Sequence, residues 1–209
     1  MASSRYRIDG QRETVKLVVA AMCVAMAFIM DVITKFIPFL HMPQGGAISI
    51  TLIPLVIAAL LLGPLYGVIA GVSFGLLNFF FDGGAGNLHW GSCFLDYTVA
   101  FGVVGLVGFF RPLFYRNKIW AYITAIALAC LLRYISSSLS GVIFFGAYAP
   151  EGVNVWFYSF VLYNAAYMGP TLAVDLVLGT AIYKPLQSLT KTSTFAAIYR
   201  VKSEKISAE

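Results

Sequence analysis

The sequence has few charged residues. Of its 209 residues, 11% are Asp, Glu, Lys or Arg, whereas 60% are hydrophobic. A soluble globular domain carries about 25% charged residues. This composition therefore excludes a soluble domain and predicts an integral membrane protein. The formal net charge of +5 does not indicate nucleic-acid binding, because the basic residues lie at the ends of apolar runs and form no stripe between aromatic residues.

Cysteine and histidine are also scarce. Cys23, Cys93 and Cys130 lie in apolar stretches without the paired spacing of a metal site, which favours small packing residues. The two histidines are His41 and His89. The sequence contains no nucleophile elbow, zinc-protease motif, phosphate-binding glycine loop or ATPase motif. We therefore expect no enzymatic activity, cofactor or metal, and any ATP hydrolysis would occur on separate partner subunits.

The apolar runs predict an all-α protein with six transmembrane helices. A spanning helix needs about 20 apolar residues. The second and third runs share residues 48–81 and are divided at Gly63-Pro64, so five spans with a re-entrant piece are an alternative. The other predicted spans are 15–39, 93–110, 119–145 and 155–182.

The flanking segments predict the orientation and the domain organisation. The loops assigned to the outside contain Asp82 and Glu151 but no Lys or Arg, whereas the basic residues collect on the other side. By the positive-inside rule, both termini are cytoplasmic. We expect a cytoplasmic segment at 1–14 without a cleavable signal peptide, a membrane domain at 15–187 and a cytoplasmic tail at 188–209.

Five ionisable residues lie within or near the predicted spans: Asp31, Lys35, Asp96, Arg133 and Asp175. Each costs about 2.5–3.5 kcal/mol at a helix centre, so each should face protein or water. Asp31 and Lys35 are four residues apart and can pair with each other. Asp96 can bind the amine edge or the positive charge of a ligand, or it can pair with Arg133. Asp175 can have a structural partner or a ligand.

The stretch "RYISSSLSGVIFFGAYAPEG" has a polar and small face, because Arg133, Ser137 and Gly141 are spaced by four. Such a face permits close helix packing or a water-accessible cavity. Two further polar and aromatic patches lie toward the same outer side, and together the three predict a pocket that opens to the outside. The first comprises His89, Trp90, Asp96 and Tyr97, and the second comprises Tyr158, Ser159 and Asn164.

Several longer motifs are spread from about residue 20 to residue 170. They are the alanine motif of the first span, "GGAISITLIPLVIAALLLGPLYGVIAGVSFGLL", "LDYTVAFGVVGLVG", "RYISSSLSGVIFFGAYAPEG" and "YSFVLYNAAYM". With these motifs the sequence resembles the S-components of energy-coupling factor (ECF) transporters, specifically the thiamine-specific ThiT/YuaJ family. The resemblance implies a six-helix, vitamin-binding protein of the bacterial cytoplasmic membrane. It also implies that the protein docks onto a transmembrane coupling subunit and two ATPase subunits.

The resemblance further implies where the partner and the vitamin bind. Ala21 and Ala25, a small-xxx-small pair, would lie on the docking face. The vitamin would lie near the outer surface, between helices four to six and the loop that joins helices one and two. The substrate-binding residues expected from the motifs and the surrounding aromatic residues are His41, Trp90, Asp96, Tyr97, Ser137, Gly141, Phe145, Tyr158, Ser159 and Asn164.

Each of these residues has an expected role toward thiamine. Asp96 would hold the aminopyrimidine edge or balance the thiazolium charge, and Phe145 and Tyr97 would make stacking or edge contacts. Ser137 and Asn164 would form hydrogen bonds. Either Trp90 or the loop that contains His41 would form a lid over the site.

Three positions depart from the family pattern. The family has Glu, His and Trp where this sequence has Asp96, Ser137 and Phe145. In addition, the spacing from Tyr158 to Asn164 is one residue longer than in the family. We therefore expect thiamine or a related pyrimidine or thiazole compound, with a different vitamin as the first alternative.

Two alternatives of other classes also follow from the residues. One is a self-sufficient proton- or sodium-coupled carrier that uses Asp31, Asp96 or Asp175. The other is a structural membrane protein whose polar face only packs.

Overall fold

The structure is a bundle of α-helices. The computed structural model describes residues 2–43, 45–82, 90–192 and 195, so His89 and most of the expected tail lie outside the described residues. Within this part of the chain, the only β-type pairing is an isolated bridge between His41 and Ala47. The all-α prediction is confirmed, with helices α1 (Ala2–Lys35), α2 (Leu52–Leu62), α3 (Pro64–Phe81), α4 (Trp90–Tyr115), α5 (Ile119–Phe144) and α6 (Val155–Thr190).

Of the six helices in the described part of the chain, five are long and apolar enough to cross a membrane, and the shorter one is α2. With 11 residues, it is only about 16 Å long. Residues 48–50, which precede it without helical structure, can add about 10 Å, and the combined length of about 26 Å is close to that of a hydrocarbon core about 30 Å thick. All residues of α2 except Ile57 are buried, and Ser49 and Thr51 of the non-helical segment before it are buried as well, as non-helical backbone at membrane depth requires. This geometry favours six crossings over the re-entrant alternative.

The first helix ends earlier than predicted. The sequence placed the end of the first span at residue 39, but α1 ends at Lys35 and a short 3-10 turn follows at Pro38–Leu40. Pro38 has no N–H and disfavours helical geometry in the residue before it. Ile37 accordingly has φ −112° and ψ 90°. The chain therefore leaves the helix at the edge of the candidate site described below.

Helices α3 and α4 meet along a glycine seam, formed by Gly67, Gly71, Gly75, Gly105 and Gly108. A Cβ atom at Gly71 would lie 2.1 Å from the Phe101 carbonyl oxygen, and one at Gly75 would lie 2.1 Å from the Tyr97 carbonyl oxygen. Small residues at membrane helix interfaces allow this backbone contact. The seam fixes the position of the outer half of α4, which carries the predicted site residues Asp96 and Tyr97.

The two ends of the bundle differ in charge. At one end, Gln187 donates a 2.8 Å hydrogen bond to the Phe114 carbonyl, Tyr183 donates to Asn117 at 3.0 Å, and Tyr66 donates to Glu13. This end carries Lys16, Arg111, Arg116, Lys118, Lys184 and Lys191. The positive-inside rule predicts that it faces the cytoplasm, and the opposite end holds the predicted pocket.

The glycine seam can be tested with Gly71→Ala. We expect a loss of about 1–3 kcal/mol of unfolding free energy, the usual cost of overpacking, because the added methyl would meet backbone. The measurement is thermal unfolding in detergent. Gly169→Ala is the matched control, since its Cβ would meet nothing within 4 Å and a helical alanine is more stable than glycine by about 0.5–1 kcal/mol. Equal melting temperatures for the two variants would contradict the seam.

Candidate functional site

A cavity of about 710 Å³ lies at the end of the bundle opposite the basic residues. Helices α1, α3, α4, α5 and α6 and the loop after α1 all contribute to its wall. Of the ten substrate-binding residues predicted from the sequence, one does not line the cavity: Trp90, whose side chain is 77% exposed. The nine other predicted site residues line this one cavity: His41, Asp96, Tyr97, Ser137, Gly141, Phe145, Tyr158, Ser159 and Asn164.

Asp96 lies in a π-helical segment of α4, Phe94–Val99. Segments of this kind are rare and occur frequently at functional sites. The hydroxyl of Ser140 donates a 2.6 Å hydrogen bond to the Asp96 carboxylate, and Ser136 donates to the Leu95 carbonyl at 2.9 Å. Two serines of α5 therefore hold the π-helical turn and orient its carboxylate in the cavity wall.

Asp96 does not pair with Arg133. The ion pairs among the described residues are Lys16–Glu13, Lys35–Asp31 and Lys35–Asp82. Arg133 instead places its guanidinium 4.5 Å from the centre of the Phe101 ring. The Asp96 carboxylate is therefore not neutralised by an ion pair within the described part of the chain.

Helix α6 contains a second π-helical segment, Tyr158–Asn164. Asn164 donates a 2.9 Å hydrogen bond to the Ser159 carbonyl five residues earlier and accepts one of 2.7 Å from Tyr167. The wider turn accommodates the extra residue between Tyr158 and Asn164, and both side chains line the cavity. The sequence showed the longer spacing, but the hydrophobic pattern does not distinguish a π-helical turn from an α-helical one.

Gly141 brings α5 and α6 together at the cavity wall. A Cβ atom there would lie 2.2 Å from Ser159 Oγ, so a larger residue would push the helices apart. The Ser159 hydroxyl donates a 2.7 Å hydrogen bond to the Ser138 carbonyl across the same contact. Ser137 and Gly141 share one face of α5 as their spacing predicted, and both line the cavity together with Phe145, which follows the last residue of α5.

The loop after α1 is attached to α6 by backbone and aromatic contacts. Tyr163 donates a 2.8 Å hydrogen bond to the Gly45 carbonyl. Gly46 has φ +88°, and its Cβ position lies 2.7 Å from the Tyr167 ring, so only glycine fits there. The His41–Ala47 bridge closes the loop. The loop and not Trp90 therefore has the position expected of a lid.

Sequence reasoning missed a polar network on α1 and α3. Lys35 Nζ lies 2.7 Å from Asp31 Oδ2, as expected, but also 2.5 Å from Asp82 Oδ1 and 2.6 Å from Asn78 Oδ1. Tyr97 donates a 3.0 Å hydrogen bond to the other oxygen of Asp82. The network thus connects α1, α3 and α4 at the cavity wall. Asp82 and Asn78 are 47 and 43 residues from Lys35, and no sequence pattern indicated these contacts.

Asp175 lies outside the cavity lining. Its side chain is fully buried, and its two carboxyl oxygens have no hydrogen-bond partner among the described residues. The sequence suggested Arg133 or a serine as its partner, but neither forms a hydrogen bond with it within this part of the chain. The carboxyl group of Asp175 is therefore not part of the cavity wall.

The attachment of the loop can be tested with Tyr163→Phe. Losing one hydrogen bond, with a net value of about 1 kcal/mol, should accelerate amide hydrogen exchange at Met42 and Ile48 by roughly fivefold. These amides donate to Gly46 and Leu40 within the loop. Tyr148→Phe is the matched control, since Tyr148 also lines the cavity and is 57% exposed. Unchanged exchange in Tyr163→Phe would show that the hydroxyl does not hold the loop.

Comparisons with known proteins agree on one family. The profile of the thiamine transporter protein family (Thia_YuaJ) matches residues 17–191. A thiamine transporter ThiT of Bacillus subtilis (strain 168) is 34% identical over 196 residues, which cover 88% of this chain and 98% of that protein. A thiamine transporter ThiT of Lacticaseibacillus paracasei (strain ATCC 334) is 30% identical over 141 residues, which cover 63% and 70%.

A solved structure also matches. ThiT from Listeria monocytogenes superposes with a TM-score of 0.73 at 25% identity, and the match covers 88% of this chain and 98% of that one. The prediction of a multi-pass transport protein rather than an enzyme, in the bacterial cytoplasmic membrane, is thereby confirmed. The chain belongs to the thiamine transporter family (Thia_YuaJ).

Proposed function

We propose that this protein binds thiamine from outside the cell and serves as the substrate-binding S-component of an ECF-type vitamin importer. The observation that carries the proposal is the Asp96 carboxylate, held by Ser140 at 2.6 Å in the wall of a cavity of about 710 Å³. That volume lies within the range of about 300–1,000 Å³ that is usual for small-molecule sites. Thiamine combines a neutral aminopyrimidine with a cationic thiazolium, and the cavity offers contacts for both.

The charges of the cavity suit a monocation. With all groups ionised, Asp31, Asp82 and Asp96 contribute −3 and Lys35 and Arg133 contribute +2, which leaves a net charge of −1. Lys35 is already paired with two of the carboxylates. Aromatic side chains in the lining add negative ring faces that attract a cation. A single positive charge on the ligand therefore neutralises the cavity.

The predicted side chains have complementary roles in this proposal. Asp96 accepts hydrogen bonds from the aminopyrimidine edge, while Phe145 and Tyr97 supply stacking or edge contacts. Ser137 and Asn164 provide hydrogen bonds beside Asp96. Tyr158 and Ser159 complete the wall on α6, and the loop that contains His41 covers the mouth.

Transport requires energy from elsewhere, and we propose an ECF coupling subunit and two ATPase subunits as partners. Ala21 and Ala25 are exposed on the face of α1 that points away from the bundle, between the exposed side chains of Leu17 and Ile29. Two alanines spaced by four allow a partner helix to approach the α1 backbone closely. Reorientation of the loaded subunit against this partner would release thiamine into the cell.

Binding can be tested by isothermal titration of the purified protein with thiamine. We expect saturable binding that Asp96→Asn weakens by roughly ten- to a hundredfold, because hydrogen bonds to a charged group are worth about 1.5–3 kcal/mol. Glu151→Gln is the control for charge, since Glu151 is an exposed carboxylate outside the cavity. Calorimetry is preferred to tryptophan fluorescence, because Trp90 and Trp156 are both more than half exposed.

The titration also distinguishes the alternatives. Binding of another vitamin in place of thiamine would keep the transport function and assign a different substrate. Folded protein that binds no vitamin would contradict the proposal.

Docking can be tested by substituting leucine for Ala21 or Ala25. We expect either change to abolish thiamine uptake by cells that contain the coupling subunits, while thiamine binding to the purified subunit stays within about twofold of wild type. Ala173→Leu is the matched control on the exposed surface of α6. Normal uptake by Ala21→Leu and Ala25→Leu, or uptake by cells without coupling subunits, would favour a self-sufficient carrier.

A further inference from the structure

Lys35 lies where α1 ends and the loop over the cavity begins. It is the last residue of α1, and the loop continues through Pro38 and His41. All three residues line the cavity. Because the loop follows directly from Lys35, a contact that fixes the position of Lys35 also fixes the start of the loop.

The Lys35 ammonium joins α1 to the outer end of α3. Its Nζ atom lies 2.5 Å from Asp82 Oδ1 and 2.6 Å from Asn78 Oδ1. It also lies 2.7 Å from Asp31 Oδ2 and 4.9 Å from the centre of the Phe81 ring. An ammonium group has three donors, so it can meet all three of these oxygen atoms at once. The contacts are partly buried, with the Lys35 side chain 25% exposed, and are therefore screened less by salt than contacts on an open surface.

Asp82 extends this constraint into the cavity wall. Its second carboxylate oxygen accepts a 3.0 Å hydrogen bond from the Tyr97 hydroxyl. The Tyr97 ring lines the cavity and packs edge-on against Phe79, with ring centres 5.6 Å apart. One carboxylate thus contacts Lys35 through one oxygen and a cavity residue through the other. Without the ammonium, Asp82 would lose the charge that fixes it, and Tyr97 would lose its fixed acceptor.

The hydrogen bond that attaches the loop to α6 is weaker. There the Tyr163 hydroxyl donates one hydrogen bond of 2.8 Å to the Gly45 carbonyl, and both partners are neutral. Hydrogen bonds that involve a charged group are roughly twice as strong as neutral ones. The start of the loop at Lys35 is therefore its more firmly held end.

We propose that Lys35 is a positioning residue for ligand binding, which holds the start of the loop and, through Asp82, the Tyr97 ring in the places where they contact the ligand. This inference rests on the proposed thiamine binding and adds to it a residue that acts through others. Two effects of Lys35 on a cationic ligand have opposite signs. Its charge repels the ligand, whereas its positioning of the loop and the ring stabilises the bound state.

The test measures binding of labelled thiamine to the purified protein at equilibrium and its dissociation during a chase with unlabelled thiamine. For Lys35→Met we expect roughly tenfold faster dissociation and correspondingly weaker binding, the loss typical of hydrogen bonds to a charged group. The association rate should change much less than the dissociation rate. If the charge of Lys35 were its only contribution, the same substitution would tighten binding, because it makes the cavity more negative.

Lys16→Met is the matched control. Lys16 is also on α1, pairs with Glu13 three residues earlier and lies 5.5 Å from the centre of the Tyr66 ring, but it does not line the cavity. Its substitution should leave the affinity and the dissociation rate within about twofold of wild type, because the site is at the opposite end of the helix.

Tyr97→Phe tests the path through Asp82. It keeps the ring and removes only the hydroxyl that donates to Asp82, so it also covers the case in which Lys35→Met does not fold. We expect roughly fivefold faster dissociation, the effect of one hydrogen bond. If Lys35 acts through Asp82 on Tyr97, the double variant should dissociate about tenfold faster than wild type, whereas independent effects would multiply to about fiftyfold.

The outcomes separate this inference from the proposed function. If wild-type protein binds thiamine and Lys35→Met binds it as tightly or more tightly, Lys35 does not position the site. Unchanged dissociation in Tyr97→Phe, or multiplied effects in the double variant, would also overturn the inference. If folded wild-type protein binds no thiamine, the proposed function fails and the inference fails with it.

Discussion

Polar groups inside a membrane must find their hydrogen-bond partners within the protein, because hydrocarbon offers none. This constraint explains the arrangement of α4, α5 and α6. Ser140 holds the Asp96 carboxylate, Ser136 holds the Leu95 carbonyl, and Ser159 donates to the Ser138 carbonyl. Serine hydroxyl groups of α5 and α6 therefore connect the three helices. These contacts satisfy polar groups of the cavity wall, whereas the Arg133 Nε and Nη1 atoms have no hydrogen-bond partner among the described residues.

The wall also depends on departures from regular helix geometry. Two π-helical segments, Phe94–Val99 and Tyr158–Asn164, both contain residues of the cavity lining. On the other side of α4, the glycine seam brings α3 into backbone contact with it, at Gly75 and Tyr97 among other residues. Close packing on one face and a widened turn on the other thus fix the position of the same stretch of α4. The loop after α1 contributes the remaining part of the wall.

The Lys35 network adds a second connection between the cavity and the outer edge of the bundle. A Lys, two Asp and an Asn from α1 and the end of α3 are joined, and the hydroxyl of Tyr97 extends the network into the cavity wall. Several opposite charges in mutual contact offset the cost of placing them at membrane depth. The network also explains how Asp82, which the sequence suggested was only a loop residue, contributes to the charge of the cavity.

The sequence by itself determined the class, the helices and nine residues of the cavity lining. The length of the hydrophobic runs and the scarcity of charge are sufficient to predict the spans, because every spanning segment must cross the same bilayer thickness. Spacing by four placed Arg133, Ser137 and Gly141 on one face, because α5 is a regular helix. Only the tertiary structure decided that Asn78 and Asp82 join Lys35, that Trp90 points away from the cavity and that Arg133 packs on Phe101 without pairing with Asp96. These contacts join residues that are far apart in the chain. They depend on how each helix is rotated, on the π-helical turns and on the close packing of helices at glycine residues, and local periodicity specifies none of these.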